Sequence, residues 1–194
     1  MSQYGFYFDQ TRCTDCFTCA VACKDWHDLP AGSANWLRVQ PIEKGEFPNP
    51  FVAYLFTPCY HCEKPACVDT GPAEALTKNP ENGIVTANPE ECLGADSCGS
   101  CKEACPYGAP QFEGNGDAMI QKCNLCLERL QEGQKPICVE ACPLRALDAG
   151  PMDELRKKYG DKKEAEGFNY SVGLKPSIIF KPKRFSPPGG KKLK

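Results

Sequence analysis

The chain has 194 residues, enough to bury the core of one ordinary domain or of two small ones. Its fifteen cysteines, 18 prolines and 17 glycines predict many turns, few long helices and a fold that hydrocarbon packing alone does not organise. The net charge of -2 gives no reason to expect a nucleic-acid partner, and the longest apolar run, Phe51 to Phe56, is too short to span a membrane.

Three kinds of site use cysteine this heavily, namely disulfides, zinc sites and iron-sulfur clusters. The cysteine count is odd, and the polar-aromatic start of the sequence lacks the basic and apolar regions of a signal peptide. A secreted disulfide scaffold is therefore disfavoured, and we expect a cytoplasmic protein. The alternative is a periplasmic location, reached by export together with a signal-bearing partner.

In sequence order, the first predicted element is a strand over Tyr4 to Asp9, where the residue pattern alternates. Short helices are predicted over Cys19 to Asp28 and over Cys123 to Gln131. Strands are predicted over Leu37 to Val39 and Val52 to Phe56, with the Pro/Gly-rich PIEKGEFPNP as the connecting loop. A further strand of two or three residues is predicted within NGIVTANPEEC.

Three aromatic residues near the cysteine motifs are expected to pack over the metal sites rather than to carry electrons, because burial is the usual state of an aromatic side chain. They are Trp26, Trp36 and Phe47.

The end of the sequence is basic, since no acidic residue follows Glu166. Its last residues, SPPGGKKLK, have the composition of a solvated tail. The apolar residues Ile178, Ile179 and Phe180 predict a strand or arm that lies on another surface, such as a partner subunit.

Four cysteine motifs account for all fifteen cysteines. They begin at Cys13, Cys59, Cys92 and Cys123 and contain four, three, four and four cysteines. The first has the spacing C-x2-C-x2-C-x3-C of bacterial ferredoxins, in which three thiolates on one loop hold one cluster and the fourth reaches a second cluster. Four such motifs predict four clusters in two ferredoxin-like halves.

Zinc is the competing interpretation, because paired C-x2-C knuckles are also usual in zinc ribbons. A zinc site needs four ligands in two pairs and gains nothing from a third cysteine two residues later. The sequence has only two histidines, His27 and His61, to complete such sites. Ligand type and three-plus-one spacing therefore favour iron-sulfur clusters over a zinc-stabilised interaction module.

The four motifs resemble those of the iron-sulfur subunit of the dimethyl sulfoxide (DMSO) reductase family. The resemblance covers about residues 4–150 and includes CxHCxxPAC, CPYGAPQF, KCNLC and KPICVEACPLRAL. It implies a non-catalytic electron-transfer subunit in anaerobic metabolism, bound to a large catalytic subunit with a molybdenum or tungsten pterin. A membrane anchor subunit is a further candidate partner. The alternative is a free multi-cluster ferredoxin acting as a soluble electron carrier.

This resemblance implies an α+β fold of tandem ferredoxin-like halves, rich in loops and with short strands and helices. One half comprises residues 1–30 and 107–150, with the first and fourth motifs. The other comprises residues 31–106, with the second and third motifs. Residues 151–194 are expected to form a C-terminal helix and a basic arm that contacts a partner subunit.

The same resemblance implies that motifs exchange their last ligands, the first with the fourth and the second with the third. Cluster 1 then takes Cys13, Cys16, Cys19 and Cys142. Cluster 2 takes Cys123, Cys126, Cys138 and Cys23. Cluster 3 takes Cys59, Cys62, Cys67 and Cys105. Cluster 4 is left with Cys92, Cys98 and Cys101.

Cluster 4 lacks a ligand because Gly71 stands where the second motif should end in cysteine. The third motif is also irregular, since five residues separate Cys92 from Cys98 where two are usual. We expect three 4Fe-4S clusters and a fourth cluster that is either 3Fe-4S or 4Fe-4S with a non-cysteine ligand. That ligand would be solvent or an oxygen-bearing side chain close in sequence. The candidates are Asp69, Thr70 and Asp96, with Asp69 placed first.

The sequence TPCYHCEKPACV followed by glycine most resembles the branch of the family that acts on polyhydroxylated phenols, the pyrogallol or phloroglucinol transhydroxylase type. That branch has dispensed with the fourth cluster, whereas three cysteines of the third motif are present here. The resemblance therefore slightly favours a phenolic substrate for the catalytic partner.

Overall fold

The computed structural model describes residues 2–114 and 118–185. Its strands are β1 Tyr4–Asp9, β2 Arg38–Lys44, β3 Phe51–Thr57, β4 Leu76–Lys78, β5 Val85–Ala87, β6 Gln111–Phe112, β7 Ile120–Gln121, β8 Leu147–Pro151 and β9 Ile178–Lys181. Its α-helices are α1 Thr18–Trp26, α2 Ala66–Asp69, α3 Ser100–Glu103, α4 Leu127–Gln131, α5 Ile137–Glu140 and α6 Met152–Tyr159, and a 3-10 helix spans Pro89–Glu91. This is a mixed α and β fold of small sheets and short helices, as predicted. No helix in these ranges is long and apolar enough to cross a membrane.

The largest sheet has three strands in the order β8-β1-β9. β1 runs antiparallel to β8, with Phe6 opposite Ala149, and parallel to β9, with Phe6 opposite Ile178. β1 occupies the span predicted for the first strand and is buried at its centre. Because β1 precedes Cys13 and β8 follows Cys142, this sheet brings the first and fourth cysteine motifs together.

The β2–β3 hairpin corrects the predicted loop PIEKGEFPNP. β2 continues through Lys44 and pairs residue by residue with β3, so only residues 45–50 connect the strands. Pro41 lies within this ladder, opposite Tyr54. A proline is tolerated there because both strands of a two-stranded sheet are edges, where its missing N–H need not face the partner.

Two smaller hairpins, β4–β5 and β6–β7, flank the second and third motifs. β5 is the short strand predicted within NGIVTANPEEC. Leu76, Val85 and Ile120 form a small buried cluster that packs against Cys67 and Cys101. These hairpins therefore place apolar cover directly beside the cysteine loops.

The two predicted helices are confirmed in kind but differ in extent. α1 lies within one residue of the predicted start and ends two residues early. α4 begins only at Leu127, because Leu125 and Cys126 have φ values of 60° and 48°. This left-handed conformation is incompatible with a right-handed helix, so the prediction of a helix from Cys123 is wrong in its first turn.

The apolar residues of β9 lie on another part of this protein rather than on a partner. Ile178 and Ile179 are fully buried and Phe180 is 1% exposed, and the strand pairs with β1. The predicted strand is confirmed, and the surface under it is β1. The basic tail, residues 186–194, lies outside the described residues, and its contact with a partner stays a prediction.

The prediction for the three aromatic residues is wrong for Phe47. Phe47 is 94% exposed in the turn between β2 and β3, beyond the reach of the core. Trp36 packs against the main buried cluster, and Trp26 is 44% exposed with its indole N–H donating to Glu128.

Replacing Ile178 by Ala should lower the thermal unfolding midpoint of the cluster-loaded protein measured by circular dichroism. A large-to-small change in a buried site costs roughly 2–5 kcal/mol, and Ile178 is fully buried between strand and core. Val172→Ala is the matched control, since Val172 is 77% exposed. Equal midpoints for the two variants would contradict the placement of β9 in the core.

Candidate metal centres

The cysteine loops share a backbone turn. In three motifs the residue before the second cysteine has a positive φ, at Asp15 (60°), His61 (43°) and Leu125 (60°). This conformation is uncommon for residues other than glycine. In the third motif the residues with a positive φ are glycines instead, Gly94 (87°) and Gly99 (65°). The loop geometry therefore recurs in three motifs, and it differs in the motif whose spacing also differs.

The four thiols predicted for cluster 1 line a single cavity beside Phe8 and Phe56. Burial raises the pKa of Cys19 to about 12, and the neighbouring thiols add to that effect. Cys16 is exposed, and a hydrogen bond from the Thr18 hydroxyl, 3.4 Å from its Sγ, lowers its pKa. The cavity thus combines thiols of the first and fourth motifs. They are Cys13, Cys16, Cys19 and Cys142.

The thiols predicted for cluster 2 are buried and close to one another. Burial raises the pKa of Cys138 well above its ordinary value, and Cys123, Cys126 and Cys23 raise it further. Cys23 lies on α1 and Cys138 on α5, two helices that contact each other. The fold therefore brings together all four residues of this predicted set.

The thiols predicted for cluster 3 also form one group. Burial raises the pKa of Cys67 to about 12, and Cys59 and Cys105 are the next causes. Cys62 shows the same pattern, with Cys59, Cys105 and Cys67 acting on it after burial. Each thiol is therefore near the other members of its set.

The two motifs that end in Cys-Pro have matching backbone hydrogen bonds to sulfur. The N–H of Ala109 donates to Cys105 Sγ (3.5 Å), and the N–H of Ala146 donates to Cys142 Sγ (3.3 Å). Each donor lies four residues after its cysteine. Such bonds to ligand sulfurs stabilise negative charge on them.

The three thiols predicted for cluster 4 line a second cavity together with Gly71 and Cys67. None of the oxygen candidates, Asp69, Thr70 or Asp96, is among its lining residues. The Thr70 hydroxyl instead donates to the Ala66 carbonyl at 3.0 Å. Gly71 therefore faces the site that lacks a ligand, whereas the three candidate side chains do not line that site. The thiols that line the cavity are Cys92, Cys98 and Cys101.

A buried lysine indicates negative charge between these sites. Lys122 is 2% exposed, and its ammonium donates to the carbonyls of Val85 and Cys123. No carboxylate in residues 2–114 and 118–185 forms an ion pair with it. A buried cation is costly without an anionic partner. Thiolate-ligated clusters would supply that charge, so the thiol sets and Lys122 together fit iron-sulfur clusters.

Sequence reasoning missed the roles of both histidines, which it weighed only as zinc ligands. The Nε2 atom of His27 lies 3.4 Å from Cys126 Sγ, and that of His61 lies 3.9 Å from Cys123 Sγ. His27, Cys126 and a Glu128 oxygen lie within 4.8 Å of one another. This trio is not assigned as a separate metal site, because Cys126 already belongs to the group of four thiols. The only sequence signal was the position of His61 inside C-x2-C.

The protein is similar in sequence to known proteins over most of its length. Residues 50–152 match the family model of the 4Fe-4S dicluster domain. The sequence is 44% identical to the B subunit of anaerobic dimethyl sulfoxide reductase from Escherichia coli K12, covering 97% of this protein and 93% of that one. It is 42% identical to the corresponding B subunit of Haemophilus influenzae, with 96% and 92% covered. It is 31% identical to protein NrfC of Escherichia coli K12, with 94% and 82% covered.

These relatives bear on the branch of the family suggested by the second motif. Their names refer to dimethyl sulfoxide reductase and to NrfC rather than to phenolic transhydroxylases. They lend no support to the phenolic branch, which stays a prediction resting on the second motif alone.

Replacing Gly71 by Cys should supply the missing ligand of cluster 4. A Cβ at this position would meet the Ala73 carbonyl oxygen at 3.2 Å, so that carbonyl must move by a few tenths of an ångström. An added thiolate favours the oxidised cluster, and each ~59 mV by which the potential falls is a tenfold change in the one-electron equilibrium. An EPR redox titration should show a lower potential and any 3Fe-4S signal converted to 4Fe-4S.

The control for this substitution is Gly71→Ala, which adds the Cβ without the sulfur. It should leave the spectrum of cluster 4 unchanged. An unchanged spectrum in a folded Gly71→Cys protein would show that position 71 does not serve this cluster.

Proposed function

This protein belongs to the iron-sulfur subunits of the dimethyl sulfoxide reductase family, and we propose that it carries electrons to or from a catalytic subunit that holds a molybdenum or tungsten pterin. The observation that carries this proposal is the gathering of all fifteen thiols into groups that fit clusters. The protein is a non-catalytic part of an oxidoreductase complex. No cysteine is left over as a nucleophile, and clusters held by four thiolates have no open position for a substrate.

We assign a 4Fe-4S cluster to each of the three four-thiol sets. The thiols of the first set share one cavity, which supports this assignment. In the other two sets the thiols raise one another's pKa, which indicates that they lie close together. Bound clusters supply one-electron storage, and the residues around them set the potential.

We assign an altered cluster to Cys92, Cys98 and Cys101, either 3Fe-4S or 4Fe-4S with a non-thiolate ligand. Solvent is the preferred ligand, because Asp69 is exposed and does not line the cavity. A cluster with one thiolate fewer has less negative charge around it, so its potential should lie above those of its neighbours.

We propose two ferredoxin-like halves, one of residues 1–30 and 107–150 and the other of residues 31–106. Pairing of β1 with β8 and contact of α1 with α5 link the first and fourth motifs. Pairing of β4 with β5 and contact of α2 with α3 link the second and third motifs. The same kind of strand and helix pairing thus joins each proposed pair of motifs.

A partner surface is proposed around cluster 1. Phe17 and Leu144 line the cavity of this set, yet they are 47% and 40% exposed, and Cys16 beside them is exposed as well. Large apolar side chains exposed around a redox site indicate a surface that another protein covers. The catalytic subunit is the partner we place there.

Leu93 is an exposed apolar side chain at the cavity of cluster 4. It lines that cavity and is 52% exposed. We propose that electrons leave or enter the protein there, toward a further partner such as a membrane anchor subunit. A cytoplasmic location is proposed, with co-export to the periplasm as the alternative.

The alternative function, a free soluble ferredoxin, has no support from the relatives. The dimethyl sulfoxide reductase relatives are, by their names, components of reductases with more than one subunit. A free carrier also has less use for exposed apolar side chains beside two of its cluster cavities.

Anaerobic affinity purification of the tagged protein from its native organism should recover a large subunit together with molybdenum or tungsten. Phe17→Glu should reduce that recovery at least several-fold by placing a charge in the apolar surface, and an iron assay of the same sample should show that cluster 1 is retained. Phe47→Glu is the matched control, since Phe47 is 94% exposed in the β2–β3 turn. A cluster-loaded monomer without either metal would instead indicate the free ferredoxin.

A further inference from the structure

Both histidines of the protein direct a ring nitrogen at sulfurs of one ligand set. His61 Nε2 lies 3.9 Å from Cys123 Sγ, and His27 Nε2 lies 3.4 Å from Cys126 Sγ. Both distances are within reach of a hydrogen bond to sulfur, whose larger radius lengthens such contacts. The sequence contains no other histidine, so cluster 2 alone is flanked by imidazole.

The ring of His61 has a defined tautomer. The backbone N–H of Val85 donates to His61 Nδ1 at 3.0 Å, which requires a lone pair on that nitrogen. The proton of the neutral ring is therefore on Nε2, the atom that faces Cys123. The ring is fully buried, and the His61 carbonyl accepts hydrogen bonds from Gln3 (2.8 Å) and Ser177 (2.9 Å). His61 is thus held as a hydrogen-bond donor toward sulfur.

The ring of His27 is positioned by Trp36. Their ring centroids are 4.6 Å apart, and the Trp36 indole N–H donates to the Gln121 side-chain oxygen at 3.0 Å. With a cluster bound as proposed, the Cys126 thiolate would carry no proton, so the His27 nitrogen 3.4 Å from its Sγ would be the donor. His27 therefore supplies a second N–H to the same set.

Glu128, the nearest carboxylate to this contact, is already engaged. One of its oxygens accepts from the Trp26 indole N–H at 2.9 Å, and the other accepts from the Asn124 amide at 3.2 Å. His27 Nε2 lies at hydrogen-bonding distance from the sulfur of Cys126.

His61 also connects two cluster sites. It lies between Cys59 and Cys62 in the loop predicted to hold cluster 3, yet its ring donates to Cys123 of cluster 2. One residue therefore spans the junction between the two proposed halves.

We propose that His27 and His61 raise the reduction potential of cluster 2 by donating hydrogen bonds to two of its sulfur ligands. The proposal rests on the ligand assignment under the proposed function. Transfer of one electron to cluster 2 from a neighbouring cluster, which would be oxidised, would increase the negative charge on the sulfurs of cluster 2. Donors aimed at those sulfurs stabilise the reduced state, and no bond breaks and no proton moves.

Cluster 1 has a different environment. Its side-chain donor is the Thr18 hydroxyl, which contacts the exposed Cys16 at 3.4 Å. Water competes at an exposed sulfur, so the effect of this donor is smaller than that of a buried one. The side-chain donors of cluster 2 should therefore change its potential more than Thr18 changes that of cluster 1.

The first test is an anaerobic EPR redox titration of His27→Phe, which keeps an aromatic ring against Trp36 and removes the donor. One component should shift down by about tenfold in its one-electron equilibrium, which equals ~59 mV. His27→Gln, which retains an N–H donor, should restore most of the shift. Thr18→Val removes a donor from cluster 1 and should leave the component that shifts in His27→Phe unchanged.

The second test does not depend on substitution of the buried His61. Histidine labelled with 15N in the ring places label at two residues only. Pulsed EPR of the reduced wild type should show two weak 15N couplings on the cluster 2 signal, and His27→Gln should retain one.

These measurements separate the proposal from the function it rests on. Unchanged potentials in an iron-replete His27→Phe protein, or the absence of 15N coupling on any cluster, would overturn the role of the histidines and leave the electron-transfer function standing. A wild type without cluster signals would overturn both.

Discussion

Repulsion among buried thiolates is the constraint on which the rest of this structure depends. Cys19 and Cys67 have pKa values near 12 because burial and neighbouring thiols oppose their ionisation. Four such groups are stable together as thiolates only with positive metal between them, so metal binding and folding are coupled. The short strands and helices have one common task, which is to deliver cysteines from distant motifs to the same point. β1 and β8 do so for the first and fourth motifs.

The sequence was informative wherever ligand chemistry dictates spacing. Three cysteines on a tight loop can be read from C-x2-C-x2-C, and the strand over Tyr4–Asp9 can be read from its alternation. The irregular spacing of the third motif and the glycine at position 71 likewise predicted that cluster 4 differs from the others. Gly71 and the cysteines of the third motif line the same cavity. The spacing also indicated that each fourth cysteine reaches a second cluster. Which motifs pair came from family resemblance, because no local signal links Cys23 and Cys142, which are 119 positions apart.

The sequence was uninformative where tertiary contact decides the outcome. The burial of Ile178 depends on β1, which lies near the opposite end of the sequence. Phe47 is apolar but lies at the tip of a turn, so no core reaches it. The orientation of His27 depends on Trp36, and the tautomer of His61 depends on the Val85 amide. Such contacts are set by the folded protein and leave no periodic pattern.

We propose that cysteines far apart in sequence share one cluster in this fold, and the Cys142→Ser variant is the decisive test of that sharing. Cys16→Ser and Cys126→Ser serve as references that mark the EPR components of clusters 1 and 2. We expect Cys142→Ser to alter the component altered by Cys16→Ser, because Cys142 lines the cavity of Cys13, Cys16 and Cys19. An alteration confined to the component altered by Cys126→Ser would contradict it.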